Sequence, residues 1–230
     1  MIPLQDDNPS RITPIVTYGL IGACVLVYLW QASLTKEAAE EAVYALGLIP
    51  AVLFSRAELQ DAVAVVPPVM TVLTSMFMHG GWMHLLGNML YMWIFADNVE
   101  DSMGHGRFVV FYLLCGIAAA LAQALPDPSS QVPMVGASGA ISGVLGAYLL
   151  LYPHARVLVI VPIGFAYATR LPAGIVLALW FGLQLLNELV APPGAAGVAF
   201  RAHLGGFVAG LALIPLFKHR DLPLLNRPRS

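Results

Sequence analysis

Charged residues are scarce in this chain. Asp, Glu, Lys and Arg make up 10% of its 230 residues, and 59% are hydrophobic. A soluble domain carries roughly 25% charged residues. No soluble core of this length could hide so much apolar surface, so part of the solvent is lipid. The net charge of −2, with no basic run, excludes the electrostatics of nucleic-acid binding. Cysteine is nearly absent: Cys24 and Cys115 both lie in apolar runs and read as small packing residues, which excludes a disulfide framework and a cysteine metal site. There is no HExxH. His79 and His84, five apart, would point from different faces of a helix, so no metal is expected. Nothing in the chain implies a cofactor. An internal repeat is missing as well, and so is a charge at mid-membrane, Glu188 lying near the outer end of its apolar segment. A transporter, the main alternative class, would call for such features.

What remains is a set of long apolar segments separated by charges and prolines. Six predicted helices fall near residues 12–33, 82–99, 108–125, 138–152, 172–189 and 202–217. The first is too long for a signal-peptide core and is followed by no small-residue cleavage site, so it reads as a retained helix. A spanning helix needs about 20 residues. The fourth and sixth are short and are expected to be enclosed by the others. The expected fold is therefore an all-α membrane protein, one domain over residues 1–230, built as a six-helix bundle with a short central fourth helix. A long connection over residues 34–75 holds Glu37, Glu40, Glu41, Arg56, Glu58 and Asp61, and a segment of that length is usually functional. Its apolar pieces, Val43–Leu53 and Ala62–Met70, are broken by Gly or Pro and are expected to rest at the membrane interface. Val157–Thr169, with Pro162 and Gly164, reads as a returning loop and not a seventh crossing.

Six crossings put Arg11, Arg107, Arg156, Arg170, Lys218, Arg220, Arg227 and Arg229 on one side and only Lys36, Arg56 and Arg201 on the other. Eight basic residues against three predicts both termini in the cytoplasm.

Polar residues inside a bilayer are costly and usually functional. The second helix and its approach carry His79, His84 and Asn88, and the last two share a face. The fourth helix opens with Gly136-Ala137-Ser138-Gly139, and the sixth with Ala202-His203-Leu204-Gly205-Gly206. All three helices run in the same direction, so His84, Asn88, Ser138 and His203 fall at one depth, in the outer half of the membrane. Gly139, Gly143 and Gly146 in one helix, and Ala202, Gly206 and Gly210 in the other, allow close backbone approach. That approach would bring Ser138 within reach of His203. A serine hydroxyl needs a base to become nucleophilic, and a histidine suits that role near neutral pH. The Ser138 N–H at a helix start, the Asn88 amide and the His84 imidazole are candidate donors to an oxyanion. No carboxylate lies at the right depth to orient His203, so a Ser-His dyad is expected.

These three motifs, in this order and topology, resemble the rhomboid intramembrane serine proteases over nearly the whole chain. The resemblance implies Ser138 as nucleophile, His203 as general base, and an oxyanion hole from His84, Asn88 and the Ser138 amide. Gly136 matches the first glycine of the family's GxSG motif, and Gly136, Gly139, His79 and Gly206 are expected in supporting roles. The implied substrates are single-pass membrane proteins, cut within or beside their transmembrane helix, in the lipid bilayer; no signal for oligomeric state is found. Glu100 matches a carboxylate that helps anchor the family's long first loop. The chain departs from many relatives in lacking a Trp-Arg pair between Lys36 and Thr74. It also has Ser142 where an aromatic ring stacks on the histidine, so another group holds the His203 ring or it is held less firmly. A compact chain with no appended domain or organellar presequence implies a prokaryotic plasma membrane.

Taken singly, each signal has a bland reading. Ser138 would be a small residue in a glycine seam, and His84, Asn88 and His203 would be interhelical glue. His79 reads as a brace for the loop entering the second helix, and His105, His154 and His219 as incidental. The Tyr91, Trp93 and Phe95 cluster reads as core or lipid contact. A relative that binds membrane helices without cutting them would be expected to have lost Ser138 or His203, and both are present.

Overall fold

The computed structural model describes residues 1–163, 165–190 and 199–226. The chain begins with a strand, β1 (Ile2–Asp6), and then enters helix α1 (Ile15–Ser33). Three short helices follow in the long connection: α2 (Lys36–Leu46), α3 (Pro50–Leu53) and α4 (Thr71–Thr74). The larger helices are α5 (Trp82–Met103), α6 (His105–Ala124), α7 (Ser138–Leu151), α8 (Ala173–Val190) and α9 (Phe200–Phe217). Strands β2 (Arg156–Ile163) and β3 (Phe165–Pro172) stand between α7 and α8.

Four of these helices, α1, α6, α8 and α9, are long and apolar enough to cross a membrane. Helix α5, with 22 residues, is about 33 Å long at 1.5 Å per residue, but His84, Asn88, Asp97 and Asn98 dilute its apolar character. Helix α7, with 14 residues, reaches only about 21 Å, short of the ~30 Å hydrocarbon core. It is enclosed instead: every residue of α7 except Ser138, Leu149 and Leu150 is buried.

Glycines hold α7 against α9. A Cβ on Gly206 would run into the backbone oxygen of Gly139, one on Gly210 into that of Gly143, and one on Gly146 into that of Phe207. Lipid tails are as apolar as leucine, so helices in a bilayer associate by close van der Waals packing and not by hydrophobic burial. The paired glycines maximise that contact. Helix α6 closes the other side, where Gly205 faces Ala118, Ala119 and Ala122.

The all-α expectation is corrected by a three-stranded antiparallel sheet in the order β1-β2-β3. Val157–Thr169 does turn back on itself, but as paired strands and not as a loop: Val157 faces Leu171 and Val159 faces Thr169. The apolar, β-branched run Val157, Val159, Ile160, Val161 is strand sequence. Val157 and Val159 are fully buried in the main core. Gly164 lies outside the described residues, as do Arg227 and Arg229 of the charge count. Residues 2–6 carry no strand signal in the sequence, yet they form β1. Tyr148 of α7 donates to the Asp6 carboxylate, and Asn8 and Asn98 exchange hydrogen bonds of 2.6 and 2.9 Å, so β1 is tied to α5 and α7. Burial, the main cause, raises the Asp6 carboxyl from its ordinary 3.8 to about 6, against the lowering effect of the Tyr148 bond.

Glu100 is also corrected. It is fully buried and anchors α1, not the long connection. Its oxygens accept from the N–H of Val16 at 3.0 Å and Thr17 at 2.8 Å, and from Thr17 Oγ1 at 2.7 Å. The first turn of α1 has no side-chain cap of its own, and a carboxylate there satisfies orphan donors and opposes the helix dipole. His105, read as incidental, pairs with Glu100 at 2.6 Å.

Candidate functional site

A cavity of about 1160 Å³ opens among α5, α6, α7, α8 and α9. His84, Asn88, Gly136, Ser138, Gly139 and His203 all line it. Residues from three separate motifs thus meet in one place.

Ser138 is the first residue of α7, so its N–H has no intrahelical acceptor. Its hydroxyl lies 2.8 Å from His203 Nε2. His203, in the first turn of α9, is 9% exposed. A second contact on the far side of the ring joins His203 Nδ1 to Gln184 Oε1 at 2.8 Å. Trp180, one turn earlier on α8, lies beside the ring with centroids 5.9 Å apart. Ser142 does not take the place of a stacking aromatic: its hydroxyl donates to the Ser138 carbonyl at 2.6 Å. The group holding the His203 ring is therefore on α8. In the sequence Gln184 carries a single signal, a polar residue four positions from Trp180 and from Glu188, on one face of an apolar helix.

Two nitrogen-bearing side chains share the cavity with the serine. Asn88 is 8% exposed, and its Nδ2 has no hydrogen-bond partner among the described residues. A buried amide left unpaired is costly, and an arriving oxyanion would satisfy it. His84 Nδ1 accepts from the Gly80 N–H at 3.3 Å, which leaves Nε2 carrying the proton in the neutral ring. A Cβ on Gly136 would stand 2.8 Å from His84 Nε2 and 3.6 Å from Ser138 Oγ. Gly136 also has φ +129°, open to glycine alone, and its N–H donates to the Ser75 carbonyl at 2.8 Å. It turns the chain into α7 while leaving room for the His84 ring.

His79 is outside the cavity lining. Its backbone is clamped by Gln31 of α1, with bonds of 3.0 and 3.2 Å, and its ring meets that of His84 edge-on at 5.2 Å. Gly206 serves the α7–α9 contact. Of the aromatic cluster, Phe95 is core and Trp93 is exposed, but Tyr91 lines the cavity. Among the described residues no group of His, Cys, Asp and Glu is arranged to hold a metal.

The Rhomboid domain pattern matches residues 67–220. The chain belongs to the rhomboid family. Its similarity extends to Rhomboid protease GluP of Bacillus subtilis (strain 168), 33% identical over 138 residues, covering 60% of this chain and 24% of that protein. Rhomboid protein 1, mitochondrial, of Saccharomyces cerevisiae is 30% identical over 152 residues, or 61% of this chain and 40% of the yeast protein. Rhomboid-like protease 5 of Toxoplasma gondii is 31% identical over 149 residues, 61% of this chain and 15% of that protein. The chain thus spans less than half the length of these relatives. Rhomboid membership and the four apolar helices make it an integral membrane protein.

Proposed function

We propose that this rhomboid protein is an intramembrane serine endopeptidase in which Ser138 and His203 form the catalytic dyad. The observation that carries the reading is the 2.8 Å contact between Ser138 Oγ and His203 Nε2, made in a cavity that also contains the unpaired Asn88 amide. With Nδ1 protonated, Nε2 has a free lone pair and accepts the serine proton as Oγ attacks the scissile carbonyl carbon. The carbonyl π electrons move to oxygen. Asn88 Nδ2, His84 Nε2–H and the Ser138 N–H donate to that oxyanion, each worth about 3 kcal/mol of transition-state stabilisation. Collapse expels the amine, which takes the proton from His203 and leaves an acyl-enzyme. Water then gives its proton to His203 as it attacks the ester carbonyl; collapse breaks the ester C–O bond, and His203 returns that proton to Ser138 Oγ as the acid product leaves.

The substrates are single-pass membrane proteins, presented as an extended segment at the outer half of the bilayer. The polar lining of the cavity gives water a place to reach the ester. Six crossings, by α1, α5, α6, the enclosed α7, α8 and α9, with both termini cytoplasmic, put the cavity on the outer side of a prokaryotic plasma membrane. Purified protein in detergent should cut a reporter with a transmembrane segment, and Ser138→Ala should stop the cut. Undiminished cutting by Ser138→Ala would overturn the nucleophile assignment.

A further inference from the structure

The dyad leaves one question of chemistry open: what keeps His203 in the tautomer that a general base needs. A neutral imidazole protonated on Nε2 could not accept the Ser138 proton there. Among the described residues no carboxylate contacts the ring. The contact on the far nitrogen comes from a neutral amide, Gln184 Oε1, 2.8 Å from Nδ1.

We propose that Gln184 is a positioning residue that locks His203 as the Nδ1–H tautomer, so that the site operates as an oriented Ser138-His203-Gln184 line. This rests on the Ser138–His203 reading above. An amide oxygen accepts but does not donate, so only a proton on Nδ1 satisfies the contact. The proton placement then leaves the Nε2 lone pair facing Ser138 Oγ at 2.8 Å. When His203 takes the serine proton, both ring nitrogens become donors, and Gln184 already accepts from one of them.

Three residues of α8, four apart, aim at α9. Trp180 lies against the His203 ring, Gln184 accepts from Nδ1, and Glu188 pairs with Arg201 at 2.5 Å. The buried residues of α8, Ala173, Val176 and Leu177, lie in its first turns, and further along Phe181 stacks on Phe207 of α9 with ring centroids 4.6 Å apart. The base is therefore aligned from a helix that aromatic packing holds against α9 independently of Gln184. The other titratable or charged groups lining the cavity are His84, Tyr91, Asp127 and the Glu188–Arg201 pair.

The test compares Gln184→Met, which keeps length and removes the acceptor, with Gln184→Glu, which keeps an acceptor. Both are assayed on the full chain in detergent for kcat, KM, fluorophosphonate labelling rate, thermal midpoint and pH profile. A hydrogen bond to a group that gains charge is worth about ten- to a hundredfold in rate. Gln184→Met should lose that factor in kcat and in labelling rate, with KM and thermal midpoint close to wild type. Gln184→Glu should recover most of the rate at high pH, with its acid limb moved to higher pH, because a carboxylate on Nδ1 favours the imidazolium. Wild-type kcat in Gln184→Met overturns the proposal. So does a Gln184→Glu variant as slow as Gln184→Met at every pH. Ser138→Ala and His203→Ala run alongside: activity in either overturns the dyad itself, whereas their silence beside a fully active Gln184→Met overturns Gln184 alone.

Discussion

Gly136→Ala tests how the GxSG turn serves the site. The added methyl meets two penalties. At φ +129° an L-residue is strained by about 1–3 kcal/mol. The methyl would also stand 2.8 Å from both Cε1 and Nε2 of His84, inside van der Waals contact. The backbone has little freedom to yield, because the Gly136 N–H is held by the Ser75 carbonyl and the next residues enter the enclosed α7. The His84 ring must then move, which breaks its 3.3 Å contact with the Gly80 N–H and carries Nε2 away from Ser138. If His84 is an oxyanion donor, its loss costs about 3 kcal/mol, or roughly a hundredfold in kcat. The expected variant has a modestly lower thermal midpoint in detergent and kcat on a transmembrane reporter down by about a hundredfold. A lowered midpoint with wild-type kcat would refute the reasoning, since the ring would then have moved without consequence.

Asn88→Ala should lower kcat by about a hundredfold with little change in KM; an unchanged kcat in a reporter assay would remove Asn88 from the oxyanion hole. Gly206→Leu should destabilise the fold by a few kcal/mol through the α7–α9 contact, read as a lower thermal midpoint, and a wild-type midpoint would show that the helices can part there freely. Asp6 supplies a pH dependence. Its carboxyl is raised to about 6 in the fold, so the folded state holds that proton more tightly than the unfolded chain. The resulting stabilisation is full below about pH 3.8, the ordinary value, and is lost as pH rises through about 6. Asp6→Asn should remove this dependence, and thermal midpoints measured across that range should converge at low pH and separate above pH 6; parallel curves would contradict it.

The large helices and the three motifs were legible because both signals are local. Long apolar runs must span or be enclosed, and polar residues within them stand out. The small residues of α7 and α9 also pointed to the contact that joins Ser138 to His203. The parts that escaped depend on pairing at a distance. β1 is a five-residue strand of mixed character whose meaning comes from β2, over 150 residues later, and Pro162 and Gly164 disguised the β-branched run of the hairpin. Glu100 sits far from the start of α1 in sequence, so its role as a cap could not be seen from spacing. Gln184 escaped for a similar reason: a lone neutral amide near the end of a lipid-facing helix has many uses, and only the His203 ring beside it selects one.

The central claim is that Ser138 is a nucleophile activated by His203. Fluorophosphonate labelling of purified protein, read by intact mass and peptide mapping, tests it most directly. The account predicts one adduct per chain on Ser138, absent in Ser138→Ala and strongly slowed in His203→Ala. Equal labelling of Ser138→Ala, or an adduct on wild type that His203→Ala does not slow, would contradict it.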